Sequence, residues 1–216
     1  MKPMMWPHFD PVLVRVGPFA IHYYALAYIT ALLIGWRVVR RLVSLNPVAA
    51  TGEQVDDFLT WATLGIILGG RLGYVLFYQP IFFLTHPSRM IAVWDGGMSF
   101  HGGFIGVTIA IIWFCRKNKI AILRFADRVA VTVPIGLFLG RLANFINGEL
   151  WGRPAAAWFP FPMIYPQSGS LVPRYPSELI EASLEGVLLF IIMVFASRSV
   201  KAVSYTHLTL PTKRIV

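Results

Sequence analysis

The fold class this sequence predicts is all-α: a polytopic membrane protein with about five transmembrane helices and its N-terminus outside. Three observations predict it. Only 13% of the 216 residues are charged while 56% are hydrophobic, about half the ~25% charge of a soluble domain. The apolar residues gather in runs of roughly 18–20, enough to cross a ~30 Å hydrocarbon core. Lys and Arg cluster after alternate runs, as the positive-inside rule requires of cytoplasmic ends.

Taken in order, residues 1–18 are proline-rich and predict a short interfacial segment. Phe19 to Trp36 is the first span, closed by Arg37, Arg40 and Arg41. Leu45 to Asp57 is a polar connection, with Thr51 placed to cap the next helix. Phe58 to Phe77 is the second span, and residues 79–97, with Pro80 and Pro87, form an outer loop. Met98 to Cys115 is the third, followed by Arg116, Lys117, Lys119, Arg124 and Arg128. Val129 to Ile146 is the fourth, with a kink expected at Pro134. A proline- and aromatic-rich loop, 148–176, precedes the fifth span, Ser177 to Ala196, where Ser177 is the expected N-cap and Glu178 and Glu181 suit the first turn. The glycines Gly65, Gly69 and Gly73, Gly102 with Gly106, and Gly136 with Gly140 make small-xxx-small steps that let helix backbones approach closely.

The net charge of +9 does not indicate nucleic acid, because the basic residues sit beside the apolar runs and no aromatic-and-basic groove is visible. One cysteine, Cys115, excludes an intrachain disulfide and a cysteine metal cluster. The start, MKPMMWPHFDPVLVRVGP, lacks the continuous apolar core of a cleavable signal peptide. Residues 1–202 therefore read as one transmembrane domain. The last stretch, 203–216 (VSYTHLTLPTKRIV), has neither periodicity nor span logic and reads as a non-native tail, the translation of a sequencing adaptor.

Two stretches carry chemistry. In residues 136–153, GLFLGRLANFINGELWGR, an apolar run holds Arg141, Asn144, Asn147 and Glu149. A charge at the centre of a membrane helix costs at least ~2.5–3.5 kcal/mol, so one that is present lines a site or finds a partner. Arg141, Asn144 and Gly148 fall on one helical face, and an arginine fork with an amide one turn on suits a phosphate. The competing reading is an arginine that snorkels or is neutralised by Glu149. In residues 94–106, WDGGMSFHGGFIG, glycines surround His101 where the outer loop enters the third span. Histidine is the natural proton acceptor near neutral pH, although a histidine bonded within the bundle explains the residue as well. Asp95 is placed to hold that loop or to orient His101. Arg71 is expected to pair with Asp127 or Glu149, or to share an anionic ligand with Arg141. His22, Tyr23 and Tyr24 stand where an interfacial aromatic belt is common. No nucleophile elbow, Walker loop, zincin motif or glycosidase carboxylate pair is present.

Together, GGRLGYVLFY, WDGGMSFHGGFIG, GRLANFINGELWGRP and PRYPSELIEA, collinear from about residue 8 to residue 202, resemble the prolipoprotein diacylglyceryl transferases of bacterial inner membranes. The resemblance implies transfer of the diacylglyceryl group of phosphatidylglycerol to the lipobox cysteine of a prolipoprotein signal peptide, giving a thioether and glycerol phosphate, with no metal or other cofactor. It implies a multi-pass protein whose active site faces the periplasmic side. It makes Arg141 the phosphate-binding arginine, with Asn144, Asn147 and Glu149 beside it, and His101 the general base. Tyr24 corresponds to a tyrosine near the lipid head group, and Gly102 and Gly152 to glycines of the pattern. The family continues for two further spans bearing another arginine and a glutamate, so an inactive fragment of the transferase is one alternative. A channel or transporter using the intramembrane arginines for an anion is the other; it predicts repeated or broken helices, and no repeat is found.

Overall fold

The computed structural model describes residues 3–17, 19–46, 48–93 and 96–199. Trp94, Asp95 and the stretch 200–216 lie outside them, and with them the expectations for Asp95 and the tail. The chain is mostly helical, and its described residues divide into two compact units, one within 1–38 and 130–199 and the other within 39–129.

The second unit is organised by α2 (Gly52–Phe77) and α4 (Phe100–Lys117). Thr51 caps α2 in a complete capping box with Gln54, so the helix starts at Gly52, six residues earlier than the second apolar run implied. The two helices pack antiparallel on their glycines. A Cβ on Gly65 would lie 2.7 Å from the Gly106 carbonyl oxygen, one on Gly69 2.8 Å from Gly106 Cα, and one on Gly73 2.7 Å from Gly102 Cα. None of these separations leaves room for a methyl group, which is what small-xxx-small spacing accomplishes where hydrophobicity cannot drive association. Below the seam, Phe58, Phe114 and Phe125 form a buried triad with ring centroids 5.0–6.1 Å apart. At the same end Arg40 pairs with Asp56 at 2.6 Å. Between α2 and α4 the connecting loop holds α3 (Pro80–Thr85) and a 3₁₀ turn (Pro87–Ile91).

Arg71 closes that loop. It is 5% exposed, and its partners are carbonyls rather than the carboxylates expected. Nε donates to Met90 O at 2.9 Å, Nη2 to Arg89 O at 2.6 Å, and Nη1 to Gly97 O at 3.2 Å and to Gly96 O. Tyr74 and Phe83 flank the guanidinium at 5.9 and 5.3 Å from their ring centroids. A fork of five donors can serve carbonyls that arrive from different directions, whereas an ammonium has three donors at one point. Arg71→Lys is therefore expected to destabilise the loop by about 2–3 kcal/mol. Amide exchange should rise across residues 86–97 with α2 unchanged; unchanged exchange in the loop would contradict this role.

In the first unit, β2 (Val12–Val16) and β3 (Phe19–His22) form an antiparallel hairpin with a bulge between Val12 and Val14. Its second strand runs directly into α1 (Tyr23–Leu42). The expected first span thus begins as strand, a correction to an all-α reading. A second short pair joins β1 (Met4–Met5) in parallel to β4 (Met163–Ile164), tying the N-terminal segment to the loop of residues 148–176. Trp6 anchors it, donating Nε1 to Phe145 O at 2.8 Å and packing on Met163 and Tyr165.

Residues 122–147 are two helices, α5 (Ile122–Ala130) and α6 (Val133–Asn147), separated at Val131 and Thr132. Pro134 stands in the first turn of α6, where its missing N–H leaves no partner unmet. Gly136 and Gly140 have open space where a Cβ would go, so among the described residues this glycine pair makes no close approach. The last run comprises α7 (Ser177–Glu181), a π-helical stretch (Ala182–Leu188) and α8 (Leu189–Ser199). Ser177 does not cap it. Pro176 holds that position, and the Ser177 hydroxyl donates to Leu150 O at 2.9 Å.

Among the described residues, three stretches are long and apolar enough to cross a membrane: Gly52–Phe77, Ile122–Asn147 and Ser177–Ser197. Only 28% of the most apolar part of α2 is buried, and Leu72 and Leu76 on α2, with Phe104 and Ile109 on α4, are more than half exposed. In water such a surface would aggregate. In a bilayer it is the solvated one, and the chain is a multi-pass membrane protein.

Candidate functional site

The C-terminal end of α6 builds the centre of the first unit's polar cluster. Gly148 ends the helix with φ 63°, its N–H turned back to the carbonyls of Asn144 and Phe145. Glycine reaches this left-handed conformation at no steric cost. Leu150 also has a positive φ of 59°, which costs a side-chain-bearing residue about 1–2 kcal/mol. Glu149 is held between these two turns, and its own N–H donates to Asn144 O at 3.1 Å.

That backbone aims the Glu149 carboxylate at three donors. Oε1 accepts from Asn144 Nδ2 at 3.1 Å, from Asn147 Nδ2 at 3.4 Å, and from the hydroxyl of Tyr24 on the first turn of α1. Asn144, which is 8% exposed, also donates to the Tyr24 oxygen. Amide, phenol and carboxylate therefore form one polarised chain, and such a chain specifies the position of each member more tightly than separate bonds would. Tyr24, Asn144, Asn147 and Glu149, proposed from sequence as separate members of one site, are brought together. Asn147 Oδ1 is buried and has no partner among the described residues.

Arg141 lies one turn before Asn144 and takes different partners. Its Nε is 2.8 Å from Glu181 Oε2 and its Nη2 3.9 Å from Glu185 Oε2. The neutralisation suggested for Glu149 is thus performed by the run after Pro176. Nearby, Glu178 and Tyr165 are fully buried beside one another. Burial, reinforced by the Glu178 carboxylate, pushes the Tyr165 phenol well above its ordinary pKa.

Gly152 belongs to the loop that frames this cluster. Its N–H donates to Tyr175 O at 3.0 Å, and a Cβ there would lie 2.8 Å from that same oxygen. Gly152, Arg153, Tyr175 and Ser177 line a cavity of about 290 Å³.

His101 and Gly102 belong to the second unit. Ser99 sets the start of α4: its N–H donates to Gly70 O at 2.8 Å, and its hydroxyl accepts from Gly102 N at 3.2 Å. His101 is the second residue of that helix and is exposed, with its ring edge-on to Phe100 at 5.7 Å. No described residue bonds its imidazole. Among the described residues no group of three or more His, Cys, Asp or Glu side chains is arranged to hold a metal ion.

Glu181, Glu185 and Glu178 were the residues sequence reasoning passed over, or assigned only to a helix dipole. The available signal was their spacing: Glu178, Glu181 and Glu185 recur at three and four residues in a span otherwise nearly free of charge.

Comparison with known proteins connects this geometry to a family. The profile described as prolipoprotein diacylglyceryl transferase matches residues 11–211. A protein of Acidiphilium cryptum strain JF-5 named phosphatidylglycerol–prolipoprotein diacylglyceryl transferase is 73% identical over 195 residues, 90% of this chain and 71% of its own length. Proteins of the same name from Gluconacetobacter diazotrophicus and Gluconobacter oxydans are 62% and 55% identical over 195 residues, each across 90% of this chain and across 69% and 71% of their own lengths. With identity this high, and with Asn144 and Glu149 of the motif that first suggested the resemblance joined in one polar cluster, the chain belongs to the prolipoprotein diacylglyceryl transferase family.

Proposed function

We propose that this protein transfers the diacylglyceryl group of phosphatidylglycerol to the lipobox cysteine thiol of a prolipoprotein. The observation that carries the reading is the convergence of Tyr24, Asn144 and Asn147 on Glu149, one helical turn from Arg141. In the reaction the thiol loses its proton, sulfur bonds to the terminal glycerol carbon, and the carbon–oxygen bond to phosphate breaks. Its electron pair leaves on glycerol phosphate. Negative charge grows on the departing phosphate, and Arg141 is the cation that meets it; a guanidinium matches phosphate oxygens bidentately. The Tyr24–Asn144–Glu149 chain, with Asn147, fixes the head group beside it. Gly152 lets the framing loop approach, and Gly102 lets α4 seat against α2.

His101 is the proton acceptor. A free thiol of pKa ~8.5 is mostly protonated at neutral pH, while the thiolate is the nucleophile. The exposed imidazole at the start of α4 has no bond within the described residues that would occupy it. The name the relatives carry supplies the two substrates, and the identity supports them for this chain. The finer topology is part of the same proposal: five spans, the N-terminus outside, a bacterial inner membrane, and the site toward the periplasm. The Lys and Arg clusters after the first, third and fifth runs support it. Sequence similarity at this level disfavours the anion-channel alternative.

The test is mass spectrometry of a lipobox peptide incubated with the reconstituted protein and phosphatidylglycerol. A gain of one diacylglyceryl mass is expected with phosphatidylglycerol and not with phosphatidylcholine. His101→Ala should slow the gain about 10²–10⁴-fold at pH 7. The deficit should shrink as pH rises toward ~8.5, because the thiolate then forms without a base. A deficit independent of pH would remove His101 from the proton transfer, and no gain under any lipid would overturn the transferase reading.

A further inference from the structure

The two glutamates on Arg141 have no place in the chemistry above, and their geometry gives them one. A guanidinium has two bidentate faces, the Nε/Nη2 side and the Nη1/Nη2 end. Glu181 forms an ion pair on the Nε side at 2.8 Å, Glu185 stands 3.9 Å from Nη2, and no described residue bonds Nη1. Arg141 itself retains 28% side-chain exposure. The segment supplying the carboxylates is built to approach α6. Gly186, next to Glu185, packs so tightly that a Cβ would lie 2.6 Å from Phe138 Cβ and 2.9 Å from its Cα. The backbone there is a π-helix over Ala182–Leu188, a rare form that is concentrated at functional sites.

Resting on the reading of Arg141 as the phosphate contact, we propose that Glu181 is a positioning residue, supported by Glu185. It holds the guanidinium by its Nε side so that the Nη1/Nη2 end is presented to the phosphodiester of phosphatidylglycerol. A free arginine side chain loses rotamer freedom when it binds, and a carboxylate that has already ordered it removes that cost from the binding step. Charge works in the opposite direction, since a carboxylate beside the cation repels an incoming phosphate. Position and charge therefore predict different signs, and substitutions separate them. Glutamine keeps an acceptor oxygen at the same reach and discards the charge; alanine discards both.

The measurement is phosphatidylglycerol affinity of the full chain in detergent micelles, with phosphatidylcholine as the control lipid. Glu181→Ala should weaken binding about ten-fold, while Glu181→Gln should bind as tightly as the parent or more tightly. In an Arg141→Ala background Glu181→Ala should have no further effect, because coupled residues fail to add. Gly186→Ala, which pushes the π turn off α6, should reproduce the Glu181→Ala loss. Tighter binding by both Glu181 variants would show a competing counter-ion and overturn positioning. So would an unchanged Glu181→Ala, or a loss that persists without Arg141. A parent chain that binds no better than Arg141→Ala would instead overturn the phosphate role of Arg141, on which the proposal stands.

Discussion

Arg141→Ala is expected to lower the rate of diacylglyceryl transfer by about 10²–10³-fold, the cost of removing one preorganised group from the place where transition-state charge forms. Arg141→Lys should recover little of it. The ammonium keeps the charge but loses the planar fork, and with it the ability to face Glu181 with one side and phosphate with the other. Because Arg141 is partly exposed and its carboxylate partners are partly exposed as well, the fold should survive both changes, and circular dichroism should be unaltered. Transfer to a lipobox peptide that proceeds at the parent rate in Arg141→Ala would show that the leaving group is stabilised elsewhere.

The second large effect concerns the helix seam. Gly69→Val is expected to destabilise the protein by about 3 kcal/mol or more, because even the Cβ would lie 2.8 Å from Gly106 Cα and backbone cannot rotate away as a side chain can. The control is Gly136→Ala on α6, whose Cβ would meet nothing within 4 Å. It should be neutral, or stabilising by up to about 1 kcal/mol through helix propensity. Thermal unfolding in detergent measures both. Equal effects at the two positions would mean that α2 and α4 do not meet through glycine. Loss of the seam would also release the start of α4, since Ser99 is tied to Gly70 and the clamp of Arg71 lies in the same stretch.

In the sequence, these two glycines look alike. Each sits in a small-xxx-small step of an apolar run, and spacing alone assigns both to packing. Spacing reports what a helix face permits; whether another backbone arrives there depends on residues remote in sequence. Arg71 shows the same limit. A buried arginine must find acceptors, and the sequence offered carboxylates as the obvious ones. The acceptors it takes are main-chain carbonyls of the loop between α2 and α4, which are present in every segment and so leave no mark in composition or motif.

Residue order by itself determined the membrane class, since charge content and run length follow directly from the cost of burying charge in hydrocarbon. It placed the N-cap at Thr51, a contact three residues long, and it located the Arg141–Glu149 motif and its family, because those residues are neighbours on one helix end. Only the tertiary structure decided how the motif is completed. Tyr24 reaches Glu149 across 125 residues of chain, and Glu181 reaches Arg141 across a loop with no periodicity. The strands that open the chain were also invisible, being short pairs stabilised by partners and not by propensity. The division follows range: local geometry is written in successive residues, while a partner for a buried charge is chosen by whichever groups the folded chain brings within about 3 Å of it.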